Sequence, residues 1–248
     1  MAARMHSVAV RAVAFAGVQR GERVLDVATG TGNAAVEAAG IGAVALGVDF
    51  EPALLRIAKA RAAESGLQVN WELADAGALG VSDGWANVVV SIFGVMYAAD
   101  HDRAARELSR CVATDGRIVL ASWTPGSFMP ELGQVLATFL PPPATGTGPP
   151  SRWGDLGVLD ELFAPNGMRI RTHAEASLTL TFESATDATQ FLIRTAGNVI
   201  AERERLTQQG RWKDVHAAVH GLVESRGRRE HDDFGIDLQY LLAVMEHG

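Results

Sequence analysis

The sequence predicts a doubly wound, mostly parallel α/β sheet, and three observations carry that expectation. Short apolar runs recur at 23–28, 44–48, 67–73, 88–90 and 118–121, and segments of helical spacing separate them. Most of these runs are continuously hydrophobic, the pattern of strands covered by helices on both faces. Small and turn-forming residues fall where each run should hand over to the next helix, and right-handed crossovers then wind the chain around both sides of the sheet.

Each element has its own signal. Residues 3–19 have amphipathic helical spacing, with Val8, Val13, Phe15 and Ala16 among the apolar positions. Arg23–Ala28 is a strand ending in a Gly-rich turn, and the small residues 34–39 permit a helix to pack close behind it. Val44–Val48 ends at Asp49; Pro52 suits the first turn of a helix that stops at Gly66. Alternation at Leu67, Val69, Trp71 and Leu73 marks a third strand, and Val88–Val90 a fourth. Asp100 or Asp102 caps the next helix, Thr114–Gly116 ends it, and Ile118–Ala121 is a fifth strand.

The character changes after Trp123. Residues 126–140 look helical, and the Pro/Gly-rich stretch 141–150 reads equally as a connector or a lid. A short helix at Leu156–Phe163, strand-like alternation over Met168–Phe182, helical material over 184–225 and a last strand at Leu238–Met245 complete the chain. The expected organisation is one domain in two parts. Residues 1–125 form the ligand-binding core, and 126–248 complete the sheet and cover a substrate.

Bulk properties narrow the function. The chain has 248 residues, 48% hydrophobic and 21% charged, enough to bury one substantial core. A net charge of -7 argues against a phosphate-backbone binder, so no nucleic-acid partner is expected. The cluster Arg226, Arg228 and Arg229 is too short to reverse that and reads as a solvated loop. Cys111, the single cysteine, reads as core. No apolar run approaches a membrane span, and Val8–Gly17 is interrupted by Arg11, so no membrane partner or cleaved signal is expected and a cytoplasmic location follows.

Ligands bind a doubly wound sheet at the carboxyl ends of its strands. Asp26–Gly32 occupies that place on the first strand, where Gly30 and Gly32 let the backbone turn sharply and approach a ligand. Asp49, ending the second strand, can accept hydrogen bonds from vicinal ribose hydroxyls. These features also satisfy the weak G-x-G-x-x-A pattern of a dinucleotide site. Two others favour S-adenosylmethionine (SAM). Asp26 would repel a pyrophosphate but attract the ammonium and sulfonium charges of SAM. Asp75 can accept from an adenine amino group while the Ala76 amide donates to the ring.

Residues Val24–Gly32 are similar to the first motif of class I SAM-dependent methyltransferases, especially the branch of ubiquinone/menaquinone-biosynthesis methyltransferases. Gly47–Asp49 looks like their second motif and Ala74–Ala76 like their third. Ser91–Gly94 and Asp100–His101 resemble the segments beyond their fourth strand. The resemblance covers about residues 20–125 and implies a Rossmann-like fold, SAM as cofactor and a set of contacts. Asp26 with Ala28, Thr29, Gly30 and Gly32 would hold the amino-acid portion, Asp49 the ribose, and Asp75 with Ala76 the adenine. Phe50 would lie against the adenine, with Ser91 and Phe93 near the sulfonium. The chain departs from the family at Ala28, where the first glycine is common, at Asn87, and at Thr114–Gly116.

A small-molecule acceptor is expected, because the Asn-Pro-Pro-Tyr-type tetrapeptide of many nucleic-acid methyltransferases is absent. Met96, Tyr97 and Trp123 are candidate substrate contacts, and His101 a candidate general base. His216 and His220, four residues apart, have no evident third ligand, and no metal is expected. Two alternatives remain from sequence: a SAM-binding protein without methyl transfer, and an NAD-dependent oxidoreductase. Neither the oligomeric state nor the acceptor is legible.

Overall fold

The computed structural model describes residues 2–141, 148–231 and 233–248. The first half runs α1 (His6–Phe15), β1 (Arg23–Val27), α2 (Asn33–Ile41), β2 (Val44–Asp49), α3 (Pro52–Glu64), β3 (Asn70–Leu73), β4 (Ala86–Ile92), α4 (His101–Cys111) and β5 (Val112–Trp123). The second half adds α5 (Phe128–Ala137), α6 (Leu156–Phe163), β6 (Met168–Phe182), α7 (Ala185–Thr195), α8 (Gly197–Ala201), α9 (Arg203–Gln208), α10 (Trp212–Arg226), β7 (Arg228–Glu230) and β8 (Asp233–His247). Among the described residues, eight strands form one sheet in the order β3-β2-β1-β4-β5-β8-β6, with β7 paired to β8. β1 to β5 pair in parallel, and β8 runs antiparallel to β5.

The chain divides into two compact units. The first contains Met1–Thr124, Gly146–Ala176 and Tyr240–Gly248. Its central strands are buried on both faces, as their apolar runs require: Val24, Leu25, Val27, Val88, Val89, Ile118 and Val119 are inaccessible to solvent. Ala34, Ala35 and Ala38 bury the face of α2, where the absence of larger side chains permits close approach to the sheet. Arg117 fastens the middle of β5, just past its irregular first half, to the turn before β1. Its two terminal nitrogens donate to the Glu22 carboxylate at 2.9 Å each, and its Nε donates to Ala16 O. This bidentate pair holds the Glu22 carboxyl below the usual carboxylate range.

The second unit contains Pro125–Thr145 and Ser177–Gln239. There α7 packs on α10, and Leu192 of α7 and Val215 and Val219 of α10 are buried. Arg226 closes α10 against α5 by donating to both Glu131 oxygens, and Arg228 pairs with Asp237. These arginines are thus ion-paired at a helix end and in a strand, rather than forming a solvated loop.

Several boundaries differ from the sequence expectation. The third strand is only Asn70–Leu73, because Gly66 and Leu67 still bond back to the end of α3. Thr114–Gly116 does not terminate α4, which ends at Cys111, but lies within β5. The register jumps there from Ala86↔Val112 to Val88↔Arg117, so these residues form a bulge. The last strand begins earlier than expected, at Asp233. Of the Pro/Gly-rich stretch, 142–147 lie outside the described residues.

Among the described residues, no helix is long and apolar enough to cross a membrane. Cys111 is fully buried at the end of α4, and burial pushes its thiol up to about 11. A thiol reagent at about pH 8 should therefore label the folded protein only as fast as it opens, and the denatured chain at once. Immediate labelling of the native protein would place this thiol at the surface instead.

Candidate cofactor-binding site

The strand order reverses between β1 and β4: β2 and β3 extend the sheet one way from β1, and β4 and β5 the other. The carboxyl ends of β1 and β4 therefore flank the crevice where this architecture binds ligands. Beyond Val27 the backbone passes through three left-handed residues, Ala28 (φ 54), Gly30 (φ 57) and Gly32 (φ 82). Glycine adopts this conformation freely, whereas alanine there costs roughly 1–2 kcal/mol.

A set of hydrogen bonds outweighs that cost. The Thr29 amide donates to Val48 O and the Gly32 amide to Thr29 O, each at 2.9 Å. The Thr29 hydroxyl donates to Asp26 Oδ2 at 2.5 Å, and the Ala35 amide to the same oxygen at 2.9 Å. The Gly30 amide donates to Asp49 Oδ2 at 2.8 Å. Each such bond contributes a net of about 0.5–1.5 kcal/mol, and more where the acceptor is charged. Ala28 also has a structural counterpart. A Cβ on Gly94 would stand 2.5 Å from the Ala28 Cβ, so the bare Cα at 94 makes room for the methyl at 28.

Asp26 is 2% exposed. Burial pushes its carboxyl up to about 7; the Thr29 hydroxyl and the Ala35 amide oppose the shift, and the charge of Asp49 adds to it. Asp49 joins two turns, since its Oδ1 accepts the Glu51 amide at 2.9 Å while Oδ2 holds Gly30. Beside it the Phe50 ring is 72% exposed, a free apolar face. Asp75 is exposed and its Oδ1 accepts the Gly77 amide at 2.6 Å, which shapes the turn that carries Ala76. Farther along, Glu107 accepts the Leu79 amide and Arg110 donates to the Leu79 and Val81 carbonyls, so α4 anchors this segment.

Ser91 ties two strands together. It is buried, donates to Val27 O at 2.7 Å and accepts the Val95 amide, tying β4 to β1. Phe93 is left-handed (φ 55), and its ring stacks on Trp123 at 3.5 Å and 4°. Tyr240 meets both rings edge-on, at 5.6 and 6.5 Å. Tyr97, 60% exposed, shares a side-chain hydrogen bond with Trp123, and the protein around its hydroxyl raises the phenol above its ordinary range. Phe93, Tyr97, Trp123 and Tyr240 thus form an aromatic group off the ends of β4 and β5.

Met96 and His101 fall elsewhere. Met96 is 1% exposed and belongs to the core. His101 is buried edge-on to Trp153 at 5.7 Å and shares a backbone hydrogen bond with Met96. Burial, with the charge of Arg152, holds its imidazole below the ordinary range and hence neutral. Its Nδ1 and the Trp153 indole nitrogen are both buried without a hydrogen-bond partner among the described residues. So enclosed, His101 is poorly placed to take a proton from a substrate. In the second unit, His220 Nδ1 meets the Thr189 hydroxyl at 3.1 Å and His216 packs on Trp212.

Tyr240 and Arg61 carried no sequence signal, and nothing in the sequence marks the pairing of Gly94 with Ala28. Tyr240 reaches the aromatic group through the Trp123↔Tyr240 register. Gly94 matters only because Ala28 lies above it. Arg61 donates to the turn at Thr31 O, 2.6 Å away.

The residues fit a SAM-sized ligand. A Cβ on Gly30 would meet no protein atom within 4 Å, leaving a cradle above the turn. Carboxylates follow one another at the ends of β1, β2 and β3, with an exposed ring beside the second.

Comparison with known proteins bears on the fold and the cofactor. Residues 24–116 match the family described as methyltransferase domain. An uncharacterized protein of Mycobacterium tuberculosis is 40% identical over 168 residues, which are 68% of this chain and 61% of that protein. The chain thus spans about three fifths of the length of this relative. A demethylmenaquinone methyltransferase of Thermus thermophilus is 40% identical over 117 residues, 46% of this chain and 53% of that protein. The crystal structure of the YcgJ protein from Bacillus subtilis matches with a TM-score of 0.68 at 16% identity, covering 98% of this chain and 99% of that one. The fold is that of the Rossmann-like class I methyltransferases, and the domain match implies S-adenosyl-L-methionine as the cofactor.

The Asp26 carboxyl makes stability depend on pH in a definite direction. Its folded pKa of about 7 exceeds its ordinary 3.8, so its contribution is fully present below about pH 4 and is lost as pH rises through 7. Asp26→Asn cannot titrate, so from pH 4 to 8 the wild type should lose stability relative to the variant, on the order of 2–4 kcal/mol. Denaturant titrations across that range check this, and a constant difference between the two proteins would disprove the raised pKa.

Proposed function

We propose that this chain transfers a methyl group from SAM to a small apolar or aromatic molecule. The observation that carries the reading is the buried carboxyl of Asp26 beneath a left-handed turn, with Asp49 beside it. A phosphate of a dinucleotide would meet the charge of Asp49 there and keep Asp26 protonated, whereas an ammonium is attracted by Asp49 and favours the ionised form of Asp26. Bound at this site, SAM supplies an activated methyl on a positively charged sulfur.

Each residue then has a defined task. Asp26 sheds its proton and faces the ammonium, and the 28–32 turn encloses the amino-acid portion. Asp49 accepts from the ribose hydroxyls through the lone pairs that Gly30 and Glu51 leave free. Asp75 and the Ala76 amide meet the adenine edge, and Phe50 covers its face. Phe93, its ring backed by the buried Trp123, offers a flat apolar wall for the acceptor, and Tyr97 adds a hydroxyl at its rim. With His101 enclosed and neutral, the main contribution asked of the chain is positioning, which supplies much of the rate in an in-line displacement. The likeness to the quinone-biosynthesis enzyme covers less than half of the chain. It therefore bears on the cofactor, and the acceptor is read from the aromatic group.

Calorimetry with SAM, S-adenosylhomocysteine and NAD, followed by labelled-methyl transfer to a panel of hydroxylated aromatic acceptors, tests this reading. SAM and its demethylated product should bind and NAD should not. Binding of NAD in place of SAM would make the chain an oxidoreductase, and SAM binding with no transfer across the panel would favour a non-catalytic role. Asp49→Ala should raise the SAM dissociation constant about tenfold or more while the protein stays folded. Unchanged affinity in that variant would remove Asp49 from the ribose site.

A further inference from the structure

The turn that cradles the cofactor is held at four residues: two from β1 and β2, one by the turn itself, and one from a different element. Thr29, Gly30 and Gly32 are bonded to Val48, the two carboxylates and one another. Thr31, at the tip, is held from α3. One guanidinium nitrogen of Arg61 donates to Thr31 O at 2.6 Å, to Thr31 Oγ1 at 3.0 Å and to Asn33 Oδ1 at 2.9 Å.

The same side of the turn is closely covered. A Cβ on Gly32 would lie 3.1 Å from the Ala58 Cβ and 2.6 Å from the Trp71 ring. The helix that carries Arg61 and Ala58 starts just after Asp49, whose Oδ1 holds the amide of Glu51, the residue capping that helix. From Pro52 to Arg61 a helix rises roughly 13 Å. It therefore contacts the ribose-side carboxylate at its first turn and the tip of the glycine turn near its end.

We infer that Arg61 is a positioning residue for the cofactor: acting through Thr31 and Asn33, it keeps the 28–32 turn in its ligand-ready form before anything binds. The inference rests on the SAM reading for its ligand, but the clamp itself belongs to the free protein. Without Arg61 the tip of a turn containing three left-handed residues loses its outer support, and the ordering is deferred to the binding step. Affinity then falls although no group that touches the ligand has changed. A purely structural role would lower stability without this selective loss.

The test compares wild type, Arg61→Ala and Arg61→Lys by calorimetry with SAM and by hydrogen exchange of residues 28–36, with thermal unfolding as the control for folding. Arg61→Ala should raise the SAM dissociation constant roughly tenfold. In the free variant the 28–36 amides should exchange faster than in wild type, and saturating SAM should restore their protection. Arg61→Lys, able to remake part of the contact, should recover part of the affinity. Wild-type affinity and wild-type exchange in Arg61→Ala would overturn the clamp. A wild-type protein that does not bind SAM would instead overturn the cofactor reading, and the exchange comparison would still report on the clamp. Should Arg61→Ala fail to fold, the double variant Thr31→Val with Asn33→Ala removes two of the acceptors and leaves α3 intact. It should show the same pair of changes, and unaltered affinity and exchange there would equally refute the role.

Discussion

The geometry of the candidate site depends on two carboxylates that hold a left-handed turn from below. Asp26 is central because it is set in the middle of the sheet, paired in register with Gly47 on one side and Val90 on the other. A full charge there is costly, since burial disfavours the ionised form, and the protein's answer is a carboxyl that holds its proton up to about pH 7. The hydroxyl of Thr29 and the amide of Ala35 keep its oxygen oriented meanwhile. The second of these bonds also occupies an otherwise open amide in the first turn of α2, so the acid serves the helix and the turn together. Gly47 is constrained by the same arrangement, because a Cβ there would meet the Trp71 ring at 2.5 Å and the Thr29 hydroxyl at 3.0 Å.

A second constraint works at the ends of β4 and β5. Ser91 ties β4 to β1, and immediately afterwards Phe93 adopts a left-handed backbone that a bulky residue seldom takes. That conformation carries the Phe93 amide to Ala121 O and lays its ring flat on Trp123. The strain thus coincides with a stacked aromatic pair beside the crevice, and Tyr240 supports the pair edge-on from β8. Strained backbone of this kind persists where surrounding contacts over-determine it. Here those contacts are a strand-end hydrogen bond and two rings.

Sequence periodicity located the strands because parallel strands buried on both faces are written as apolar runs. It located the acids because they stand at the ends of those runs. It failed where direction or long range decides. Met96 lies in the short 3-10 turn Val95–Tyr97 and His101 opens α4, where the chain crosses from strand to helix and no period tells inward from outward, and Ser91 lies in β4, whose two faces are both buried. Two of them enter the core and the third ties strands together. Thr114–Gly116 reads as a helix stop, but register with β4 makes it a bulge inside β5. Tyr240 and Arg61 stand far along the chain from their partners at Trp123 and Thr31, and nothing in their local sequence marks those contacts.

The free protein's hydrogen bonds are compatible with a bound ligand rather than in competition with it. Asp49 already accepts one amide on each oxygen, and a carboxylate oxygen has two lone-pair sites, so each oxygen keeps room for one further donor without displacing Gly30 or Glu51. Asp26 engages the protein through Oδ2, so in the proposed complex its proton passes to solvent and the ammonium faces the ionised carboxylate without disturbing Thr29 or Ala35. The bonds that shape the turn can therefore be the same before and after binding. That places the cost of the left-handed backbone in folding, where the tip contact from α3 helps to offset it. The ligand's own interactions are left to act as affinity.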